Sequence, residues 1–192
     1  MMKLMKTLII ECNTSEKSFG KTIKEKVISI LEKNKRAYDV IDLYKDNFNP
    51  IMSEEDEKLY NQGETSDELV KKYQKYIKES DEIVFIFPIW WNNVPAMLKG
   101  FFDKVFIKEF AFIEENNKPK GLLNNINKGL LITTSESDCS YIKNDLGNPI
   151  EKTIIKATLE VVGMSNIKWI NVNMEPEDQE KQSFLQEIES NL

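Results

Sequence analysis

Short apolar runs alternate with segments of helical periodicity along the whole chain. The runs are KTLIIEC, AYDVIDL, EIVFIF, KGLLITT and NIKWINV, and they have the continuous apolar character of strands covered on both faces. Between and after them, apolar residues recur every three to four positions, as on amphipathic helices. Five such strands alternating with five helical segments predict an α/β protein whose doubly wound parallel sheet has helices on both faces.

The chain is expected to form a single domain over residues 1–192. Its apolar content of 41% is enough for one sizeable core, and no linker rich in Pro, Gly or Ser divides it. Near the start only TLII is apolar, which is too short for the core of a signal peptide. No apolar run approaches the ~18 residues of a membrane span. We therefore expect a cytoplasmic protein with no membrane partner.

Charge and residue usage exclude several classes of function. The net charge of -6 and the dispersal of lysines among glutamates disfavour nucleic acid as a partner. The chain has no histidine, which excludes a Ser-His-Asp triad and most catalytic zinc sites. Its two cysteines, Cys12 and Cys139, have no metal-ligand spacing, so no metal site is expected.

Ligands of doubly wound sheets lie beyond the carboxyl ends of the strands at the topological switch point, here expected between the first and third strands. The first loop, CNTSEKSFGKT, leads from a strand into a helix N-terminus, which favours an anion such as phosphate. Asn13, Lys17 and Ser18 could add side-chain donors. The sequence of this loop matches neither the dinucleotide-binding motif GxGxxG nor the P-loop motif GxxxxGK[ST]. A plain capping loop is the alternative interpretation.

The second loop, PIWWNNVP, brings Trp90 and Trp91 to the same edge of the sheet, where they would suit a flat aromatic ligand. The alternative is that they fill the core or a subunit contact. The third loop, TTSESDCSY from Thr133 to Tyr141, offers several backbone N–H groups for polar ring atoms. An ordinary Ser/Thr/Asp turn is the alternative there.

The segment FPIWWNNVPAMLKGFFDKVF resembles the flavin loop and following helix of the NAD(P)H:quinone oxidoreductases, the group of DT-diaphorase and modulator of drug activity B. DLYKDNFNPIMSEED, IKEFAF and LLITT follow the order and spacing of that group, so the resemblance covers Lys6 to about Val172. It implies a flavodoxin-like fold with strand order 2-1-3-4-5. It also implies a flavin-dependent NAD(P)H dehydrogenase that reduces quinones or similar acceptors by ping-pong, two-electron hydride transfer.

The same resemblance implies a flavin bound without covalent attachment. The last helix is short and acidic, with Glu180 near where a basic side chain would help bind an adenine-bearing flavin, which favours FMN, with FAD possible. The implied contacts with the flavin phosphate are Asn13, Lys17, Ser18, Phe19 and Gly20. The implied contacts with the edge of the ring are Pro88, Ile89, Trp91 and Asn92. Those with the pyrimidine side of the ring are Thr133, Thr134, Ser135, Glu136 and Tyr141. Tyr141 or water would donate the proton. In the family the third loop usually reads Thr-Thr-Gly-Gly, whereas Ser135 and Glu136 stand here.

A homodimer is also implied, and the phenylalanines at positions 101, 102, 106, 110 and 112 are interpreted as its contact, with core packing as the alternative. Two other functions stay open: a flavodoxin-type electron carrier, and a flavin- or nucleotide-binding regulatory partner of another protein. The sequence does not distinguish NADH from NADPH as the electron donor, or quinones from azo and nitro compounds as the acceptor.

Overall fold

The computed structural model describes residues 5–15 and 17–192. Within them, five parallel strands form the main sheet and two antiparallel strands form a separate hairpin. The strands are β1 (Lys6–Glu11), β2 (Ala37–Asp42), β3 (Glu82–Pro88), β4 (Phe112–Glu115), β5 (Lys118–Gly121), β6 (Lys128–Ser135) and β7 (Ile167–Asn173). The helices are α1 (Phe19–Lys33), α2 (Glu54–Tyr60), α3 (Glu68–Glu79), α4 (Ala96–Val105), α5 (Cys139–Asn144), a π-helix (Ile150–Leu159) and α6 (Asp178–Asn191).

The main sheet has the order β2-β1-β3-β6-β7, with every neighbouring pair parallel. The five-stranded parallel sheet and the change of direction between β1 and β3 agree with the prediction. The strand numbers do not, because β4 and β5 intervene and the last two strands of the sheet are β6 and β7. In register, Glu11 at the end of β1 lies beside Asp42 of β2 and Ile86 of β3.

The hairpin β4-β5, between α4 and β6, is not among the five strands that the sequence predicted. Its turn residues, Asn116 and Asn117, both have positive φ, 53° and 59°. Paired left-handed residues form the tight turn that joins antiparallel strands, and asparagine is among the residues that tolerate this geometry. The Asn-Asn pair was therefore an available signal for the hairpin.

Two cores form because successive strand residues point to opposite faces of the sheet. In β3, Ile83, Phe85 and Phe87 belong to the core shared with α3, α4 and the π-helix, whereas Val84 and Ile86 belong to the core shared with α1 and α6. All five side chains are buried. This double coverage is the reason for the continuous apolar run in the sequence.

Most of the phenylalanines assigned to a subunit contact prove to be core residues. Phe101, Phe102 and Phe106 are at most 5% exposed and pack together, with ring centroids 5.5–5.9 Å apart. Phe110 and Phe112 are partly buried against the same core. Helix α4 carries the first two of these rings on its buried face, so core packing explains them without a partner subunit.

The apolar spacing of three to four positions predicted α-helices between the strands, but the helix after Gly147 is wound as a π-helix. The N–H of Glu160 donates to the carbonyl of Ile155 at 2.8 Å, five residues back. The wider winding buries Ile150 and Ile154 but leaves Ala157 and Val161 exposed. None of the helices in the described ranges is long and apolar enough to cross a membrane.

Candidate functional site

A pocket of about 620 Å³ lies where the segments after β3, β6 and β7 meet. This is the edge formed by the carboxyl ends of the strands, the place at which doubly wound sheets bind ligands. Aromatic, aliphatic and small polar side chains line it together with one carboxylate. The lining residues are Ile89, Trp90, Trp91, Asn92, Ser135, Glu136, Ser137, Ile142, Leu146 and Met174.

A tight turn of four residues, 90–93, forms one wall of the pocket. Trp90 and Asn93 close the turn with paired main-chain hydrogen bonds. Trp91 stands at its tip and is 100% exposed, whereas Trp90 is 40% exposed. Neither tryptophan fills the core, so the interpretation as core plugs is wrong. The turn presents two indole rings at the pocket instead.

In the side-chain amide of Asn92, one polar atom has a hydrogen-bond partner and the other has none among the described residues. Its Nδ2 donates to the carbonyl of Leu146 at 3.3 Å, which ties the turn to the segment after α5. Its Oδ1 is buried and has no hydrogen-bond partner within the described part of the chain. Because buried polar atoms are normally paired, this oxygen is an acceptor available to a ligand.

The third loop is shorter than predicted. Thr133, Thr134 and Ser135 belong to β6 and Tyr141 belongs to α5, so only residues 136–138 connect the two. The Thr133 hydroxyl is used inside the sheet: it donates to Asn171 Oδ1 at 2.6 Å and accepts from Trp169 Nε1 at 2.8 Å. It is fully buried and absent from the pocket lining.

Ser135 and Glu136, which replace the glycines usual in the family, fit the backbone without strain, since neither has positive φ. The Ser135 hydroxyl donates to the carbonyl of Ser137 at 2.6 Å and accepts from Asn171 Nδ2 at 2.9 Å, which fixes the loop. Across residues 5–15 and 17–192, the N–H groups of Glu136 and Ser137 have no hydrogen-bond partner. These two donors are free to bind polar atoms of a ligand.

Tyr141 lies in the first turn of α5 and is 49% exposed. It does not line the pocket, although Ile142 and Leu146 of the same segment do. Its hydroxyl is paired with no other residue that the structure describes. A role in proton donation therefore stays a prediction.

The first loop leads into α1, and its geometry leaves the helix N-terminus open. Ser18 occupies the N-cap position, but its side chain makes no capping bond and donates instead to the carbonyl of Ser15 at 2.7 Å. The first turn of α1 has no acidic residue. Its N–H groups and the helix dipole therefore face no competing carboxylate from that turn.

Asn13 and Gly20 pack closely within this loop. A Cβ built on Gly20 would lie 2.4 Å from the Asn13 Oδ1, so any larger residue at this position would displace the Asn13 amide. Asn13 Nδ2 also lies 3.5 Å from Glu11 Oε1, at the end of β1. The amide is therefore fixed between the strand and the start of the helix. Contacts of Lys17, Ser18 and Phe19 with a phosphate stay predictions.

A buried ionic cluster lies at the carboxyl ends of β1 and β2. Lys24 contacts Glu11 and reaches Asp42 Oδ2 at 3.2 Å, and its side chain is 9% exposed. Burial raises the pKa of Glu11, against the lowering effect of the Lys24 ammonium. Burial also pushes the pKa of Asp42 upward, but the Lys45 N–H and the Lys24 charge bring it below its usual value.

Cys12, the residue that follows β1, is unsuited to nucleophilic chemistry. It is 1% exposed, and burial raises the pKa of its thiol to about 12. A thiol that remains protonated at neutral pH is a poor nucleophile. Cys12 is therefore a core residue.

The structure brings five predicted residues together at the pocket: Ile89, Trp91, Asn92, Ser135 and Glu136. The other predicted residues do not line it. Pro88, Thr133 and Thr134 are strand residues, Tyr141 lies beside the lining, and Asn13, Lys17, Ser18, Phe19 and Gly20 lie in the first loop and the start of α1. The pocket residues to which the sequence did not point are Ser137, Ile142, Leu146 and Met174, whereas Trp90 was expected at this edge as part of the second loop. For Met174 a signal existed, because it follows the last strand of the sheet.

A second cavity, of about 820 Å³, adjoins the pocket on the other side of the 90–93 turn. We call it the α4/π groove. It lies between α4, the π-helix and the β4-β5 hairpin. Its lining residues are Met52, Tyr60, Asn93, Lys99, Phe102, Asp103, Phe106, Phe112, Glu114, Asn117, Lys118, Pro119, Thr153, Ile154, Ala157, Thr158, Val161 and Val162.

Curated oxidoreductases are among the proteins that are similar in sequence. An NAD(P)H oxidoreductase of Haemophilus influenzae is 30% identical over 155 residues, which cover 81% of this chain and 76% of the relative. NAD(P)H dehydrogenase [quinone] 1 of Rattus norvegicus is 31% identical and is matched over 73% of this chain. The match spans only 57% of the length of the rat protein.

Among solved structures, the NAD(P)H:quinone oxidoreductase of Methanothermobacter marburgensis superimposes with a TM-score of 0.88 at 25% identity. The superposition covers 98% of this chain and 97% of the other. The family model for the flavodoxin-like fold matches residues 5–192, which is nearly the whole chain. Sheet order, pocket position and family match agree, and the chain belongs to the flavodoxin-like fold family.

Proposed function

We propose that the protein is a flavin-dependent NAD(P)H dehydrogenase that reduces quinones or similar acceptors. The observation that carries the proposal is the pocket itself: an aromatic-walled cavity at the sheet's switch point with unpaired polar atoms along its edge. The names of the relatives from Haemophilus influenzae and Methanothermobacter marburgensis support the same class of reaction.

The pocket residues fit the ring of a flavin. The pyrimidine edge of that ring has several acceptors and one N–H donor. The free N–H groups of Glu136 and Ser137 could bind the acceptors, and the unpartnered Oδ1 of Asn92 could bind the donor. Trp90 and Trp91 supply flat apolar surface at the open side. The residues at the pocket therefore match both the polarity and the shape of the ring.

The first loop suits the phosphate end of FMN, which is the form of flavin that we propose. The N-cap of α1 lacks a side-chain capping bond, and the N–H groups of Phe19 and Gly20 have no partner among the described residues, so these two donors remain for an anion. Lys181 of α6 adds a positive charge nearby, with its Nζ 5.5 Å from the centre of the Phe19 ring. Lys17 precedes the helix and could supply a second cation.

When bound, the flavin supplies two-electron transfer, so that NAD(P)H, a proton and a quinone become NAD(P)⁺ and a hydroquinone. The chain's own contribution is electrostatic and steric. The N–H groups of Glu136 and Ser137 would stabilise negative charge that develops at the pyrimidine edge, as an oxyanion hole does. The Trp91 side chain would shield the reacting face from water. Tyr141 or solvent would supply the proton to the acceptor.

We further propose a homodimer, for which the distribution of exposed apolar side chains is the support. Met52 and Val161 are exposed in the α4/π groove, and Trp90, Trp91 and Leu146 are exposed at the pocket. Contiguous exposed apolar surface of this kind is typical of interfaces. A subunit seated on the groove would reach the 90–93 turn and cover the pocket.

The proposed function is tested by the absorbance spectrum of the purified protein after loading with flavin, followed anaerobically. NADH or NADPH should bleach the flavin bands, and menadione added afterwards should restore them. Chromatography of the released flavin should identify FMN. Retained flavin that stays oxidised with both nucleotides would favour the electron carrier or the regulatory partner. Failure to retain flavin would overturn the assignment of the pocket.

A further inference from the structure

Glu136 is the one charged residue among those that line the pocket. Its side chain is exposed, and no ion pair or hydrogen bond neutralises it within the ranges that the structure describes. The remaining lining consists of aromatic, aliphatic and uncharged polar residues. A substrate that enters the pocket therefore meets an uncompensated negative charge.

Three further carboxylates belong to residues that are adjacent in the sequence to pocket-lining residues. Asp138 follows Ser137, Asp145 precedes Leu146 and Glu175 follows Met174, and all three are exposed. None of their side chains has a partner among residues 5–15 and 17–192; Asp138, at the N-cap position of α5, makes no capping bond. The cation of this segment, Lys143, lies over the Trp169 ring, 4.8 Å from its centre.

Charges of one sign around a low-dielectric cleft act together on an entering ion. NADPH differs from NADH by one phosphate group, which carries a charge of about −1.5 to −2 at neutral pH. Repulsion over a separation of about one Debye length, ~8–10 Å, is weakened by salt but not abolished. The effect on binding must therefore be largest at low ionic strength.

We infer that Glu136 makes the pocket select substrates by charge: NADH over NADPH as donor, and neutral or cationic acceptors over anionic ones. This inference rests on the proposed function and adds to it a class of substrate. It assigns Glu136 the role of a specificity-determining residue, with Asp138, Asp145 and Glu175 reinforcing the same field. The reaction is unchanged.

The inference is tested first at equilibrium, with nucleotides that cannot deliver a hydride. NAD⁺ and NADP⁺ are titrated into the flavin-loaded protein, and binding is followed by the fluorescence of Trp90 and Trp91 at the pocket. From the Coulomb energy of exposed charges we expect NAD⁺ to bind roughly three- to tenfold more tightly at low salt. The ratio should approach one at high salt.

Variants then assign the effect to one residue. Glu136→Gln should lower the NAD⁺ preference, and Glu136→Lys should reverse it. Glu25→Gln is the matched control, because Glu25 is an exposed carboxylate on α1, away from the pocket, and has no partner in the described ranges. In kinetics, the ratio of kcat/KM for NADH to that for NADPH is measured on one preparation, so that flavin occupancy cancels. Glu136→Lys should also favour a sulfonated naphthoquinone over menadione.

Any of three results would overturn the inference. They are equal binding of NAD⁺ and NADP⁺, a preference for NAD⁺ that salt does not change, and a ratio of the two affinities that neither Glu136 variant alters. These outcomes differ from failure of the proposed function. A protein that retains flavin and is reduced equally by NADH and NADPH keeps the function and loses only the selectivity. A protein that retains no flavin, or that neither nucleotide reduces, loses both.

Discussion

Trp90 and Asn93 exchange two main-chain hydrogen bonds, with N···O distances of 2.9 and 3.0 Å. The residues between them, Trp91 and Asn92, have φ values of 49° and 60°. A left-handed conformation costs an L-residue about 1–2 kcal/mol, and asparagine tolerates it better than tryptophan does. Because Trp91 is fully exposed, no burial offsets that cost. Strain of this kind is typical of functional sites.

Trp91→Asn should therefore stabilise the fold and impair the function. We expect the free energy of unfolding to rise by about 0.5–1 kcal/mol, because asparagine suits the left-handed turn. Loss of the indole should lower kcat/KM for menadione by roughly tenfold or more, from the scale of pocket contacts. Urea unfolding and steady-state kinetics measure the two effects. Asn47→Gly, at another exposed left-handed position, is the control and should leave kcat/KM unchanged. A less stable, fully active Trp91→Asn would contradict the prediction.

Gly20→Ala should disturb the first loop through Asn13. The new Cβ would lie 2.4 Å from Oδ1 of the Asn13 side chain, so the amide must move. Overpacking of this kind costs about 1–3 kcal/mol, and we expect the lower end because a side chain yields more easily than backbone. Flavin affinity should fall as well. Urea unfolding and flavin titration measure the two effects.

The Asn13→Ala background tests the cause. With the amide removed, Gly20→Ala should cost markedly less, giving a coupling energy above about 0.5 kcal/mol in a double-mutant cycle. Additive effects of the two substitutions would show that the Asn13 contact is not what requires glycine at this position.

Glu11 should make stability depend on pH in a direction that its burial determines. Burial raises its pKa in the folded state above the usual 4.5, so the folded protein binds a proton more tightly than the unfolded chain. The contribution of Glu11 is therefore fully present below pH 4.5 and is lost as pH rises through the folded pKa. Wild-type and Glu11→Gln proteins are unfolded with urea across this range. The stability of wild type relative to the variant should fall with rising pH, and a constant difference would contradict this.

Arg36→Ala should destabilise the fold strongly, because it removes one partner of a fully buried carboxylate. Arg36 contacts Glu82, which also accepts from the Thr7 hydroxyl at 2.8 Å and pairs with Lys128 at 3.0 Å. Breaking a buried pair in this way costs about 3–5 kcal/mol, and the remaining Lys128 contact favours the lower value.

Lys33→Ala is the matched control for this substitution. Its ion pair with Glu189 is exposed, with a separation of 3.2 Å, and such pairs contribute at most about 1 kcal/mol. Equilibrium unfolding in urea should therefore separate the two variants clearly. Similar losses would mean that burial does not distinguish the two ion pairs.

Val161→Lys should dissociate the proposed dimer without unfolding the subunit. Val161 lines the α4/π groove and is 36% exposed, so the lysine has room in the free subunit but would place a charge in the interface. Sedimentation velocity should show the mass of one chain, and circular dichroism should be unchanged. Ser29→Lys, exposed on α1 at the other face of the sheet, should leave the mass unchanged. Dimeric Val161→Lys would place the interface elsewhere.

The periodicity of the sequence determined the sheet, its covering helices and the edge that carries the pocket. Local signals suffice there, because a strand buried on both faces must be continuously apolar, as in the run from Ile83 to Phe87. The sequence also determined that two tryptophans stand at that edge. The resemblance to a known family added the flavin and the residues expected around it.

Tertiary structure alone decided which of those residues meet at the pocket. Thr133 was expected to contact the flavin, but the sheet continues past it and its hydroxyl is used by Asn171 and Trp169. Ile142 and Leu146 line the pocket because their segment folds back onto the 90–93 turn, and no local pattern encodes that convergence. The uncompensated charge of Glu136 is likewise a property of its surroundings. The sequence specifies the charge of Glu136, but only the packing decides whether another side chain neutralises that charge.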